Sequence, residues 1–154
     1  MWIEIRQTDR FDVDLRKLTK ALDDELLTLY PAEGIFGLDL DDPSLDSALF
    51  AVAYLGGVPA GCGAIKPVGR EYAELKRFYV DPTFRKKGIA TAVLNYLENE
   101  AAAGGFGLIR LETGPKQPEA LNLYTKSGYT RIGRFGDYPG DEYSVFFEKH
   151  LKGD

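Results

Sequence analysis

The spacing of apolar positions changes character several times along the chain. From Trp2 to Thr8 apolar and polar residues alternate, which predicts a strand. Leu15, Leu18, Leu22, Leu26 and Leu29 then recur at steps of three or four, the spacing of an amphipathic helix, with Asp12 or Asp14 available as its N-cap. Tyr30-Pro31-Ala32-Glu33-Gly34 ends that helix, because proline removes a backbone donor and restricts the residue before it. Leu38 to Leu45 contains Asp39, Asp41, Asp42 and Pro43 and reads as an irregular or short helical connection. Ala48 to Leu55 is an apolar strand, Gly56-Gly57 a hairpin turn and Val58 to Lys66 the return strand. A polar turn, Pro67 to Glu71, leads into a central strand, Tyr72 to Val80.

Helical spacing returns from Thr91 to Ala103, through Val93, Leu94, Leu97 and Ala101, and Gly104-Gly105 stops it. Leu108 to Glu112 reads as a strand and Gln117 to Ser127 as a helix ending at Gly128. Arg131 to Gly136 and Glu142 to Glu148 are expected as the last strands, joined through a turn region at Gly136 to Asp141. This order predicts an α/β (α+β) fold: a mixed, mostly antiparallel sheet flanked by helices, and not a doubly wound repeat.

Composition narrows the classes. The 154 residues fit one domain, expected to span 1–154, and can bury a proper core. The net charge of -5 argues against a nucleic-acid surface, which needs a basic footprint. No apolar run is long enough to span a bilayer, and the alternating N-terminus does not read as a signal peptide. A single cysteine, Cys62, forms no internal disulfide and fits a reducing, cytoplasmic setting; it reads as a small buried strand residue. The only histidine, His150, lies near the C-terminus, so no metal site is expected. Trp2 is expected to pack and His150 to lie at the surface. The apolar final strand, Tyr143 to Phe147, offers an edge for pairing across a homodimer.

The most informative stretch is Arg77 to Ala101, in which a strand meets Asp81-Pro82, then Arg85-Lys86-Lys87-Gly88-Ile89-Ala90, then a helix. A helix N-terminus presents unpaired N–H groups and the positive end of a dipole. Gly88 allows close approach of an anion, Ala90 stays small, Thr91 adds a hydroxyl, and Arg85, Lys86 and Lys87 add positive charge. A pyrophosphate would suit this turn, although the six residues alone also suit a basic surface turn opening an ordinary helix. Neither a nucleotide P-loop nor a triple-glycine dinucleotide fingerprint is present.

Around this turn the chain resembles the GNAT superfamily of acyl-CoA-dependent N-acetyltransferases. Glu74 to Pro82 is similar to the family's strand before the turn, and Arg85 to Ala90 to the turn itself. Leu111-Glu112-Thr113 resembles the next strand end, and Ala120 to Tyr129 the second signature. The resemblance implies acetyl-CoA as cofactor, with splayed central strands and the pantetheine arm between them. It implies contacts from Phe78, Tyr79, Val80, Arg85, Lys86, Lys87, Gly88, Ile89, Ala90, Thr91, Gln117 and Tyr124. The family commonly has asparagine at the position of Gln117 and a small residue at that of Lys86. Strand alternation would put Glu74, Lys76, Phe78 and Val80 on one face, unless a bulge intervenes.

The resemblance also implies roles. The Phe78 N–H would polarise the thioester carbonyl. Tyr124 would donate a proton to the departing thiolate, and its alternative is a core tyrosine beside Ala120 and Leu121. Glu74 would act as general base, through water; Glu112 on the adjoining strand is its rival. For the acceptor, Tyr30, Glu33, Phe36, Glu112 and Tyr138 are the main candidates, with Phe135 and Tyr143 beside them, because aromatic faces and carboxylates receive an ammonium. A small amine, amino-acid-like or polyamine-like, is the expected substrate. Protein N-termini or lysines come second, an aminoglycoside is a further class, and a non-catalytic acyl-CoA sensor is the alternative outside enzymology.

Overall fold

The computed structural model describes residues 2–151. The alternating N-terminal segment forms strand β1 (Ile3–Thr8), and the leucine-spaced segment forms helix α1 (Val13–Leu29). Asp12 caps α1, accepting from the Leu15 N–H at 2.8 Å, while Asp14 accepts from the Tyr54 hydroxyl at 2.6 Å. Strands β2 (Leu49–Leu55), β3 (Val58–Val68) and β4 (Tyr72–Val80) follow as antiparallel neighbours. Helix α2 (Ile89–Ala103), strand β5 (Leu108–Thr113), helix α3 (Pro118–Lys126), and strands β6 (Thr130–Ile132) and β7 (Val145–His150) complete the order.

All seven strands join one sheet in the order β1-β2-β3-β4-β5-β7-β6. Only β4 and β5 run parallel. On one face α1 buries Leu15, Leu18 and Leu22 against Phe50, Val52, Cys62, Ala64 and Tyr79. On the other, α2 and α3 cover a larger core that includes Val93, Leu97, Ile109, Leu111 and Phe147. Each such aliphatic burial contributes roughly 1.5–3 kcal/mol. Among the described residues no helix is long and apolar enough to cross a membrane.

Some expectations hold and others need correction. The strand expected over Arg131 to Gly136 is only three residues long, and the chain from Gly133 to Ser144 is irregular, with Phe135 buried against Tyr72 and Phe146. The connection from Leu38 to Leu45 carries one 3₁₀ turn, at Pro43–Ser47. Trp2 does not pack: it is 75% exposed. Strand β7 lies between β5 and β6, so both its edges are taken and it cannot pair across a dimer. His150 is exposed, and Cys62 is fully buried on β3 with its thiol pushed up to about 12 by burial.

Two irregularities position the site. The β3–β4 register runs Ala64↔Lys76 and then Cys62↔Tyr79, so β4 carries one extra residue there. Arg77, with φ of 53°, turns this bulge. Alternation therefore breaks: Lys76 and Tyr79 share a face with α1, while Phe78 and Val80 pack toward α2. Gly63 stands opposite, and a Cβ there would lie 2.8 Å from Leu97 and 3.2 Å from the Phe78 ring, so only glycine lets the bulge and α2 come this close. The second irregularity is a split. The β4–β5 pairing stops after Leu75↔Leu111, although both strands continue.

Candidate active site

A cleft opens where β4 and β5 part. Its floor is Leu75, Phe78, Thr113 and Gly114, and α3 contributes Ala120 and Tyr124 with Gln117 just before it. From the opposite side come Leu22, Leu26 and Tyr30 of the α1 segment and the stretch from Gly34 to Gly37. Lys76, Arg77, Glu112 and Tyr143 complete the wall. Of the acceptor candidates, Tyr30, Phe36 and Glu112 thus reach the cleft, as does Tyr143. Glu33 is exposed and does not line it, and Phe135 is a core residue.

Tyr124 is 4% exposed, with its ring packed on Phe78, Tyr129 and Phe147. Its hydroxyl nevertheless makes no hydrogen bond to any described residue, and it belongs to the cleft wall. Although the ring is packed, the hydroxyl oxygen is not closed off: it opens into the cleft. Burial, and then the nearby Glu112 carboxylate, push its pKa upward, so the phenol stays protonated at neutral pH.

Glu112 is the carboxylate the cleft exposes to a substrate. Burial pushes its pKa up to about 7, assisted by Glu74 and Asp141 and opposed by the Ser144 hydroxyl and by Lys76. Ser144 donates to it at 2.8 Å. Glu74 is placed differently. Its carboxylate accepts from the Tyr138 hydroxyl and lies 3.6 Å from the Lys76 ammonium, and it does not line the cleft. Lys76 in turn donates to the Tyr138 hydroxyl at 2.6 Å and to the Phe36 carbonyl at 3.2 Å. Tyr138, also outside the cleft, stacks edge-on against Phe36. Glu74 and Tyr138 thus form a closed network behind the wall that holds Lys76 and Phe36.

Tyr30 is a buried bridge: its hydroxyl accepts from the Lys116 N–H at 2.9 Å and donates to Gln117 Oε1 at 3.4 Å. It ties the end of α1 to the β5–α3 loop. Asp23 and Ser144 were not among the residues singled out in the sequence, and Lys76 was placed there only on a strand face. Asp23 lies on α1 and Ser144 just before β7, and their partners are 54 and 32 residues away, so nothing local marked them.

Beyond β4 the chain turns through Pro82–Phe84 into α2. Lys86 and Gly88 both have positive φ, 65° and 83°, which curls the turn so that successive N–H groups face one side. Among the described residues none accepts from the backbone N–H groups of Lys87 to Thr91. A Cβ on Gly88 would meet nothing within 4 Å, so the turn borders open space. Lys86, Lys87 and Thr91 are exposed and Ile89 is buried in the core. Arg85 looks inward: it donates to the Val80 carbonyl at 3.1 Å and to Glu25 at 2.9 Å, with Glu119 at 3.7 Å.

A match to the Acetyltransferase (GNAT) family extends over residues 8–129. The chain belongs to the GNAT family of acetyltransferases. Among the relatives of this GNAT chain, the IAA acetyltransferase of Azospirillum brasilense is 41% identical over 137 residues, 88% of this chain and 89% of that protein. The Bacillus subtilis N-acetyltransferase YsnE is 33% identical, covering 79% and 82% of the two chains. A crystal structure from Klebsiella pneumoniae, assigned as an acyl-CoA N-acyltransferase, superposes with a TM-score of 0.86 at 32% identity, over 97% of this chain and 98% of that one. The Thermoplasma acidophilum PaiA N-acetyltransferase, solved with coenzyme A, shares the fold at a TM-score of 0.72 and 20% identity, over 97% and 99%.

Acetyl-CoA is the cofactor of this GNAT enzyme, and the local geometry fits it. Unpaired N–H groups curled around an open glycine suit a pyrophosphate, and the β4–β5 gap offers room for an extended amide-bearing arm. The Val80 carbonyl is engaged by Arg85, and the Tyr79 side chain lies on the α1 face. Neither Arg77 nor Phe78 has a partner residue in the register of either neighbouring strand.

Proposed function

We propose that this GNAT enzyme acetylates the primary amine of a small molecule, by direct attack on acetyl-CoA within a ternary complex. The observation that carries the reading is the pairing, in one cleft, of a protonated phenol without a partner and a carboxyl poised near neutrality. Acetyl-CoA, when bound, supplies a thioester carbonyl. The chain's own groups do the rest. Glu112, or a water it holds, takes a proton from the incoming ammonium, a task suited to a base with pKa about 7. Phe78, freed from the sheet ladder by the bulge, offers its N–H to the carbonyl oxygen. Tyr124 would supply the proton that the departing thiolate takes up as the amine replaces it on the carbonyl carbon, and the second proton of the acylated nitrogen would return through water to the Tyr124 phenolate. Glu74, enclosed by Tyr138 and Lys76, holds the wall in place and is replaced by Glu112 as the base.

The backbone N–H groups from Lys87 to Thr91, with Lys86 and Lys87 adding charge, would seat the pyrophosphate, and Gln117 would meet the arm. Relatives named as an IAA acetyltransferase and an S-(2-succino)cysteine N-acetyltransferase favour a small-molecule acceptor over a protein. A single buried thiol suits a reducing cytoplasm. Release of free thiol from acetyl-CoA, measured while both substrates are varied, tests the mechanism. Intersecting double-reciprocal lines are expected; parallel lines would mean a covalent acyl-enzyme and would sink direct attack.

A further inference from the structure

The acceptor end of the cleft holds cations that have no charge left to offer. Lys76 has its ammonium bound to the Phe36 carbonyl and the Tyr138 hydroxyl, with the Glu74 carboxylate 3.6 Å away. Arg77 gives both terminal nitrogens to the Asp23 carboxylate of α1, each at 2.7 Å. Its Nε is buried without a partner and is closed to solvent. Against these neutralised cations stands Glu112, which the structure pairs with a hydroxyl and with no salt bridge. The remaining walls are Leu22, Leu26, Ile35, Phe36 and Tyr143.

A carboxylate carried beside the reacting nitrogen would therefore be desolvated against apolar side chains. It would also lie near Glu112, with no free cation to receive it. Burial of an unpaired charge is among the most unfavourable events in such a pocket, whereas an apolar or aromatic body gains from the same walls. We infer that the acceptor is a primary amine on an apolar or aromatic body with no carboxylate next to the nitrogen. Among the described residues lining the cleft, no cation is left unpaired, and that lack is the discriminator. This rests on the cleft being the acetyl-transfer site; it chooses against the amino-acid-like acceptors that the sequence left open, and it sets this chain apart from the relative named for S-(2-succino)cysteine, whose nitrogen stands beside a carboxylate.

The test compares 2-phenylethylamine, phenylalaninamide and phenylalanine as acceptors, reading thiol release with the wild-type enzyme. Phenylalaninamide keeps the branch of the amino acid and removes its charge. Both uncharged-body amines are expected to exceed phenylalanine in kcat/KM by at least about tenfold, the scale of a missing polar partner. Phenylalanine equal to or better than phenylalaninamide would overturn the inference while leaving acetyl transfer intact. Calorimetry on the coenzyme A-saturated protein separates the two ideas. Binding of 2-phenylethylamine but not phenylalanine, with no thiol release from any amine, would support the pocket chemistry and sink the proposed reaction.

Discussion

The two ends of the cleft are built from different materials. At the turn before α2, one continuous segment presents main-chain N–H groups to open space, and its side chains, Lys86 and Lys87, point to solvent. At the opposite end, Glu74, Lys76, Tyr138, Phe36, Arg77 and Asp23 come from distant parts of the chain and are locked by mutual hydrogen bonds. A main-chain site tolerates changes of side chain, provided the backbone conformation survives. A side-chain site does not, so it is where an acceptor preference can be changed by one substitution. The donor end fits a group common to the whole family, and the acceptor end is where side chains can set a preference.

The sharpest break of that contrast is Gly88→Asp. The φ of 83° strains any residue with a Cβ, and the new carboxylate would face the anion seat. Calorimetry should find acetyl-CoA affinity reduced by about a hundredfold or more, and retained affinity in a folded variant would move the pyrophosphate elsewhere. Next comes Tyr124→Phe, expected to lower kcat by about a hundredfold with coenzyme affinity within about twofold, as removal of a proton donor should. Equal losses in both would make Tyr124 a packing residue.

A smaller effect is expected from Glu112→Gln. With a base titrating near 7, the wild-type rate should climb as pH rises through that value. The variant should lose about tenfold above pH 7 and lose the climb, whereas Glu74→Gln should keep it. Stability gives a second reading. The folded carboxyl titrates near 7 against an ordinary 4.5, so the native state binds more protons and loses stability as pH rises between those values. Glu112→Gln should therefore gain relative stability above pH 7, by at most about 3 kcal/mol, and show no gain below the lower value. The weakest effect belongs to Lys86→Ala and Lys87→Ala. Each should raise KM for acetyl-CoA by no more than about threefold, and the change should fade in salt because both side chains are exposed.

The donor end could be read from sequence because it is local. A strand, a turn with Gly88 and a helix N-terminus need only neighbouring residues to define them, and Tyr124 sat in a short signature. The α1 leucines and the β2–β3 hairpin were legible for the same reason of periodicity. What escaped is non-local. The extra residue at Arg77 is stabilised by Asp23, 54 positions earlier, and accommodated by Gly63 across the ladder, so alternation along β4 could not reveal it. The same distance hid the choice between two carboxylates. Glu74 and Glu112 look alike in sequence, and only the packing of Tyr138 and Lys76 encloses one while Ser144 and the cleft leave the other open.

Arg85 carries an implication for how the halves of the enzyme stay in register. Where β4 and β5 part there is no shared ladder, yet this one guanidinium touches β4 through Val80, α1 through Glu25 and α3 through Glu119. It works as a cross-brace over the gap, fixing the width of the opening. Weakening it would let the mouth gape without removing a single group that handles a proton.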